Sequence, residues 1–370
     1  MNKAIKYRIY PNSQQKEMFA KTFGCCRFIW NQMLNDRIKY YKTHKKTKIF
    51  TPAMYKKDYP WLCEVDSLAL ANVQQNLQAA YNKFFKKKGK FPKFKTKHKS
   101  KKSYTTNNQN GTIRIEKDYI KIPKVGKIKI KLHRDIPKNW IIKSATVSED
   151  SAGKYFISIL FKFDKDIKLI DKTNPELKIL ELDYKSDGLY YDSEGNVANM
   201  PKFYQNMQKK LTHAQRKLSK KKRSTTSCSN NYIRQLNKVN KIHRKISNQR
   251  LDYLHKLSTQ IANEYDVVVV EDIDMKNISN KHFHNGKATM NNGYGLFRTL
   301  LKYKLEDRGK FYIKVDRWYP SSQLCSNCGN KHKLLLKDRM YNCPKCGIQI
   351  DRDYNAALNI KAEGSRILFI

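Results

Sequence analysis

Acidic side chains are scarce: 32 Asp or Glu stand against 76 Lys or Arg in 370 residues, which leaves a formal net charge of +44. A chain so one-sided repels itself unless it meets a polyanion, so nucleic acid or an anionic membrane is the expected partner. Long apolar runs are missing too. No stretch approaches the roughly 20 apolar residues of a spanning helix, and the opening MNKAIKYRIYPNSQQ lacks the apolar core of a signal peptide. These absences set the membrane aside and lead us to expect a cytoplasmic protein. Apolar content itself is ample. At 39% hydrophobic and 12% aromatic the chain can bury real cores, which excludes disorder throughout, and its length allows two or three domains.

Four of the eight cysteines, Cys25, Cys26, Cys63 and Cys228, show no pairing pattern, as expected of thiols in a reducing compartment. The other four do. Cys325, Cys328, Cys343 and Cys346 form two C-x2-C pairs fourteen residues apart, the spacing of a four-thiolate zinc ribbon, with Gly329 and Gly347 after each pair to turn the backbone. Four sulfurs leave no open position for water. The metal is therefore expected to hold a fold, contributing about 10 to 16 kcal/mol to a small module, and not to catalyse.

Residues 11–98 read as helical, from a three-to-four spacing at Met18, Phe19, Phe23, Phe28, Ile29 and Leu34 and again in SLALANVQQNLQAAYNKFF. A basic segment follows, KKKGKFPKFKTKHKSKKSY, where Lys93 and Lys95 lie among Phe91, Phe94 and Tyr104. Rings interleaved with cations suit stacking on bases while neutralising phosphates, so Lys93, Lys95 and Tyr104 are candidate nucleic-acid contacts; a solvated linker is the plainer alternative. From 111 to 163 the period changes to two, predicting a small antiparallel barrel with Ile128, Ile130 and Leu132 inward, Lys127, Lys129 and Lys131 outward, and a turn at Ser151, Ala152 and Gly153.

Beyond Glu176, LKILELD, GLYY and NVANM predict three consecutive antiparallel strands. Between Lys209 and Arg250 there are fourteen Lys or Arg and no acid, on a helical spacing that predicts a basic hairpin broken near SKKKRSTTSCSN. Lys209, Lys210, Arg216, Lys217, Lys220, Lys221, Lys222 and Arg223 are its candidate contacts to nucleic acid. YDVVVVED then predicts a buried strand, a helix follows over 294–307, and KFYIKVD predicts another strand. After the ribbon, DRDYNAALNIKAEG predicts a final helix with Asp353 as its cap.

That order is the one expected of a ribonuclease H-like α/β domain. Asp183 ends its first strand, Glu271 its fourth, and Asp353 opens the last helix, so the three can converge at one end of the sheet. Gathered carboxylates repel one another and are stable ionised around divalent cations, and hard oxygen donors suit Mg²⁺ or Mn²⁺. Two such ions about 3.5 to 4 Å apart would suit phosphodiester hydrolysis. Taken singly, a strand-terminal acid is most often a solvated end or a cap. Asp187, Asp192, Asp272, Asp274 and Asp351 are competitors ranked lower.

These residues carry a resemblance over almost the whole chain. KYRIYPNSQQ, FGCCRFIWNQML, FPKF, QKKLTHAQRKLSKKK, NQRLDYLHKLS, VVVVEDIDMKN, YPSSQLCSNCG, YNCPKCG and DRDYNAALNI occur in family order. The sequence resembles the transposon-encoded TnpB (OrfB-type) family, relatives of type V CRISPR effectors and eukaryotic Fanzor proteins. The resemblance implies an RNA-guided DNA endonuclease with a guide RNA from the transposon end, target DNA flanked by a short motif, and RuvC acids at Asp183, Glu271 and Asp353. It also implies a domain order: a wedge barrel over 1–10 and 99–172, a helical recognition lobe over 11–98, a RuvC domain over 173–320 and 350–370, and the zinc ribbon over 321–349. A nuclease-inactive, RNA-guided repressor is the alternative, and would normally have lost an acid. Two departures stand out. Glu181 and Lys185 replace glycines that many members carry two residues either side of the first acid, and Ser67, Leu68 and Ala71 are small or apolar where the family places part of its motif reader.

Overall fold

The structure is a computed structural model describing all residues except 98–99, 165, 186–187, 222–228, 280–285, 336–337 and 370, and the side chains of 276, 287, 288 and 290. It divides into two compact units, Met1–Lys165 and Asp166–Ile370.

The first unit begins with β1 (Asn2–Tyr10), α1 (Ser13–His44), α2 (Pro52–Lys56), a 3-10 turn (Pro60–Cys63) and α3 (Ser67–Phe85). It continues through β2 (Ser103–Asn107), β3 (Arg114–Glu116), β4 (Tyr119–Ile122), β5 (Gly126–Lys131), β6 (Ile141–Glu149) and β7 (Tyr155–Lys162). α1 starts where Asn12 and Gln15 satisfy each other's backbone N–H groups. The seven strands make one antiparallel sheet in the order β2-β6-β7-β1-β5-β4-β3. Its alternation is the expected one, with Ile128 and Ile130 buried and Lys127, Lys129 and Lys131 exposed. One core joins helices to sheet. Phe19 of α1 stacks on Tyr155 at 5.6 Å, and Phe23 lies 5.9 Å from Tyr104. Tyr104 is therefore a correction to the sequence reading: at 5% exposure, its ring belongs to this core and offers no face to a base.

The second unit runs β8 (Ile179–Tyr184), β9 (Tyr190–Asp192), β10 (Val197–Ala198), α4 (Phe203–Ser219), α5 (Asn230–Glu264), β11 (Val267–Glu271), α6 (Met275–Ile278) and α7 (Gly286–Asn292). Then come α8 (Tyr294–Glu306), β12 (Phe311–Val315), β13 (Met340–Asn342), β14 (Gln349–Asp351) and α9 (Arg352–Phe369). The main sheet has the order β10-β9-β8-β11-β12, antiparallel from β10 to β8 and parallel from β8 to β12. Helices cover both faces, which is why β11 reads as an unbroken apolar run. Leu180, Leu182, Val268 and Val270 pack with Leu254, Phe297 and Leu301 of α5 and α8. Val267 and Val269 pack with Ile360 and Leu368 of α9.

Two contacts fix these layers. Lys304 of α8, only 7% exposed, donates to the His255 carbonyl at 2.6 Å, Ser258 Oγ at 2.8 Å and Thr259 Oγ1 at 2.7 Å on α5. On the other face Gly364 of α9 lies so close to Val269 that a methyl group there would overlap the valine side chain. Val269 is fully buried and stiff at χ1, so the helix would have to move. Gly364→Ala is expected to destabilise the protein by about 1 to 3 kcal/mol, measured by chemical denaturation.

Candidate functional site

The parallel strands end together at one edge of the second unit's sheet. Register pairs Val269 with Glu181 and Val270 with Leu182, so the last residue of β11, Glu271, follows in step beside Asp183. With a side-chain period of two, Glu181, Asp183, Val269 and Glu271 share the face covered by α9. α9 brings Asp353 in its first turn. Tyr191 of β9, registered with Asp183, lies 6.2 Å from Tyr354 of α9, ring to ring.

Electrostatics join the three acids. Burial pushes the Asp183 carboxyl up to about 8, and the charges of Glu271 and then Asp353 add to that rise; a backbone N–H from Tyr184 and the Arg352 guanidinium oppose it. Glu271 is raised by burial and held back by Arg298. Asp183 thus feels both partners. Among the described residues, the four cysteines are the one group of three or more such side chains whose donor atoms all lie within 4.8 Å of one another. The carboxylate oxygens of the three acids accordingly do not all lie within that distance of one another.

Of two further neighbours, the sequence reading passes over Arg298 and marks Glu181 only as a departure from the family pattern. Arg298 donates to the Glu271 carbonyl at 2.8 Å and the Ile273 carbonyl at 2.7 Å, with its guanidinium 5.3 Å from the Tyr294 ring centre. No sequence signal marks it, since it is one cation on an ordinary helix. Glu181 is fully buried, and neither of its carboxylate oxygens has a hydrogen-bond partner. Burial, followed by the charges of Asp183, Asp192 and Glu271, raises its pKa well above the usual range.

The competing acids have other work. Asp192 accepts from the backbone N–H groups of Glu194 and Asn196 at 3.0 and 2.8 Å in the β9–β10 turn. Asp272 is paired with Lys314 at 2.9 Å and Arg317 at 3.5 Å. Asp274 opens the turn into α6, accepting at its carbonyl from Asn277 N. Asp187 lies outside the described residues. Asp351 corrects the expected cap: it accepts from the N–H groups of Asp353 at 2.9 Å and Tyr354 at 3.0 Å. Asp353 is thereby released from capping, and its carboxylate pairs with Arg352 at 3.3 Å.

The cysteine cluster sits between β12 and α9. Cys325 and Cys346 sulfurs are 3.6 Å apart, and Cys328 and Cys343 sulfurs 3.5 Å. Gly329 and Gly347 adopt φ of +70° and +74°, the left-handed turn each knuckle requires. The Cys346 thiol is pulled down to about 6, chiefly by the Ile348 backbone N–H and then by Asn327, which readies it as a thiolate. This donor set fits zinc. One zinc per chain is expected by metal analysis, and Cys343→Ser should release it and lower the melting temperature.

The candidate nucleic-acid contacts divide. Lys209, Lys210, Arg216, Lys217 and Lys220 are exposed on or just beyond α4, and Lys221 half-buried; Lys222 and Arg223 lie outside the described residues. α4 packs on α5 through Leu211, Ala214, Val239, Ile242 and Ile246. In the first unit Lys93 is exposed, whereas Lys95 is partly buried with its ammonium 3.8 Å over the Trp30 ring.

Comparison with known proteins places this geometry. The chain is 32% identical over 98% of its length to a putative RNA-guided DNA endonuclease of Streptomyces pristinaespiralis, covering 90% of that protein. It belongs to the transposon-encoded TnpB (OrfB-type) family. A second relative, the putative RNA-guided DNA endonuclease InsQ of Escherichia coli K12, is 29% identical over 99% of this chain and 93% of its own. Three family models match: a helix-turn-helix domain over residues 1–46, a probable transposase over 171–282, and a Cas12f1-like TNB domain over 294–360. The first of these segments forms β1 and the single helix α1. Among solved structures, the Cas12f1–sgRNA–target DNA complex contains a chain of similar fold, with a TM-score of 0.57, 12% identity and 98% coverage of both chains. No helix of the described residues is long and apolar enough to cross a membrane.

Proposed function

We propose that this protein is an RNA-guided DNA endonuclease whose second unit is a RuvC-type nuclease, with Asp183, Glu271 and Asp353 as its metal-binding acids. The observation that carries the reading is the gathering of three acids at one sheet edge: the β8–β11 register brings Glu271 beside Asp183, α9 brings Asp353 in its first turn, and burial together with the charges of Glu271 and Asp353 pushes the Asp183 carboxyl up to about 8. A site that penalises its own charges in this way is suited to divalent cations. Mg²⁺ or Mn²⁺ bound there would activate a water and stabilise the leaving oxygen of a phosphodiester. The chain's own share is to hold the acids in place. β8 and β11 set Asp183 beside Glu271, Arg298 ties the Glu271 and Ile273 carbonyls to α8, and the Asp351 cap frees Asp353.

The +44 charge suits a guide RNA and a guide–target hybrid, since counterion release makes backbone binding strong and sequence-tolerant while base pairing supplies sequence choice. The exposed cations of α4 and the segment around Lys93 are the proposed contacts, and the first unit combines the wedge and recognition parts. The relatives' names support the same activity. The protein is proposed to act in the cytoplasm, with zinc in the ribbon.

The test is reconstitution. Protein purified with its co-expressed RNA, the RNA sequenced, should cut target DNA from a randomised flanking library in Mg²⁺. Guided binding without cleavage in either Mg²⁺ or Mn²⁺ would favour the repressor reading.

A further inference from the structure

The ribbon and the third acid are joined by hydrogen bonds for which the cleavage reading has no use. Two side chains of α9, Asn355 and Asn359, are 0% and 6% exposed. Asn355 Oδ1 accepts from the Ser326 N–H at 2.9 Å while its Nδ2 donates to the Leu324 carbonyl at 2.7 Å. Asn359 Nδ2 donates to the Leu324 carbonyl at 2.7 Å and the Ser321 carbonyl at 2.8 Å. Leu324 and Ser326 are the residues on either side of Cys325. The two amides therefore hold the backbone on both sides of Cys325, and only a side chain that both accepts and donates can do so at position 355.

The ribbon also reaches α9 through the chain itself. β14, the ribbon strand paired with β13, ends at Asp351, runs into α9 without a linker, and supplies the cap that frees Asp353. Asn355 lies two residues beyond Asp353, so the grip is within the first helical turn. Farther along, Gly364 seats the helix on Val269.

Resting on the cleavage reading above, we propose that the ribbon positions the third acid: Asn355 and Asn359 lock the first two turns of α9 to the Cys325 knuckle, so that Asp353 is held opposite Asp183 only when the ribbon is folded on its metal. Both asparagines are positioning residues. Neither needs to touch an ion, and the ribbon metal controls the acid site from outside it.

The experiment titrates Mn²⁺ into the full-length protein by electron paramagnetic resonance and counts zinc with a chromophoric chelator. Asn355→Ala should keep one zinc per chain yet weaken Mn²⁺ binding by about tenfold or more, the usual scale for partners that orient a metal ligand. Asn355→Asp, which keeps the acceptor but turns a carboxylate oxygen toward the Leu324 carbonyl, should weaken binding at least as much. Added to Asp353→Ala, Asn355→Ala should weaken binding no further, because the acid it positions is already gone. Unchanged Mn²⁺ affinity overturns the proposal, as does a loss that adds fully to that of Asp353→Ala, which would mark general loosening. Asn359→Ala and wild-type protein stripped of zinc and dialysed give the same readout should Asn355→Ala not fold. If the unaltered protein binds no Mn²⁺, the acid-site reading fails and this one with it; if it binds and the variants match it, only the positioning role fails.

Discussion

Asp183→Ala should lower Mg²⁺-dependent cleavage by more than about a hundredfold while guide RNA and target DNA bind as before. Partners that merely orient a metal ligand cost up to about a hundredfold, and Asp183 is the acid that feels both others, so its loss should exceed that range. The fold should tolerate the change. Alanine fits the end of β8, and the neighbouring backbone stays fixed by the Tyr294 hydroxyl, which donates to the Leu182 carbonyl at 3.1 Å. Binding rests on cations elsewhere and should not move. Asp272→Ala is the matched control, because that acid is paired with Lys314 and Arg317 and should affect cleavage little. Equal cleavage by wild type and Asp183→Ala in a single-turnover assay would remove the RuvC assignment.

The second large effect is on stability. In buffer free of Mg²⁺ and Mn²⁺, the zinc-loaded protein should melt at a lower temperature at pH 8 than at pH 6. Asp183 and Glu181 both have raised folded-state pKa values, Asp183 up to about 8. Between the unfolded value near 4 and the folded value, the folded chain holds a proton that the unfolded chain does not. Stability therefore falls as pH rises through that window, by up to about 1.4 kcal/mol per pH unit for each group, and levels off for Asp183 above about pH 8. Mn²⁺ should restore the loss at pH 8, since an ion stabilises the ionised acids. Glu181→Gln should raise the melting temperature at pH 8 and flatten the slope, because the neutral amide removes the cost of keeping this unpartnered, buried carboxyl protonated at a pH where the unfolded chain ionises it. A Glu181→Gln protein that melts lower than wild type at pH 8 would mean that this carboxylate is compensated.

Much of this architecture is legible in the chain. Strand period and the VVVV run of β11 locate the acids at strand ends, and cysteine spacing locates the ribbon, because both depend on local geometry. What depends on distant partners is not legible. Tyr104 among lysines looks like a stacking ring, yet Phe19 and Phe23, some eighty residues earlier, draw it inward. D-R-D offers two equivalent caps, and only the strand pairing of β14 decides that Asp351 takes the role. The partners of Asn355 and Asn359 lie across the ribbon, about thirty residues back, and nothing in NAALN announces them.

One cation deserves to be subtracted from the protein's grip on polyanions. The Lys304 ammonium, spent on one carbonyl and two hydroxyls of α5 and only 7% exposed, is a rivet between helices. Composition therefore overstates the adhesive charge of this surface, and a lysine-neutralising reagent would reach this amine only after the exposed ones of α4 had lost their charge.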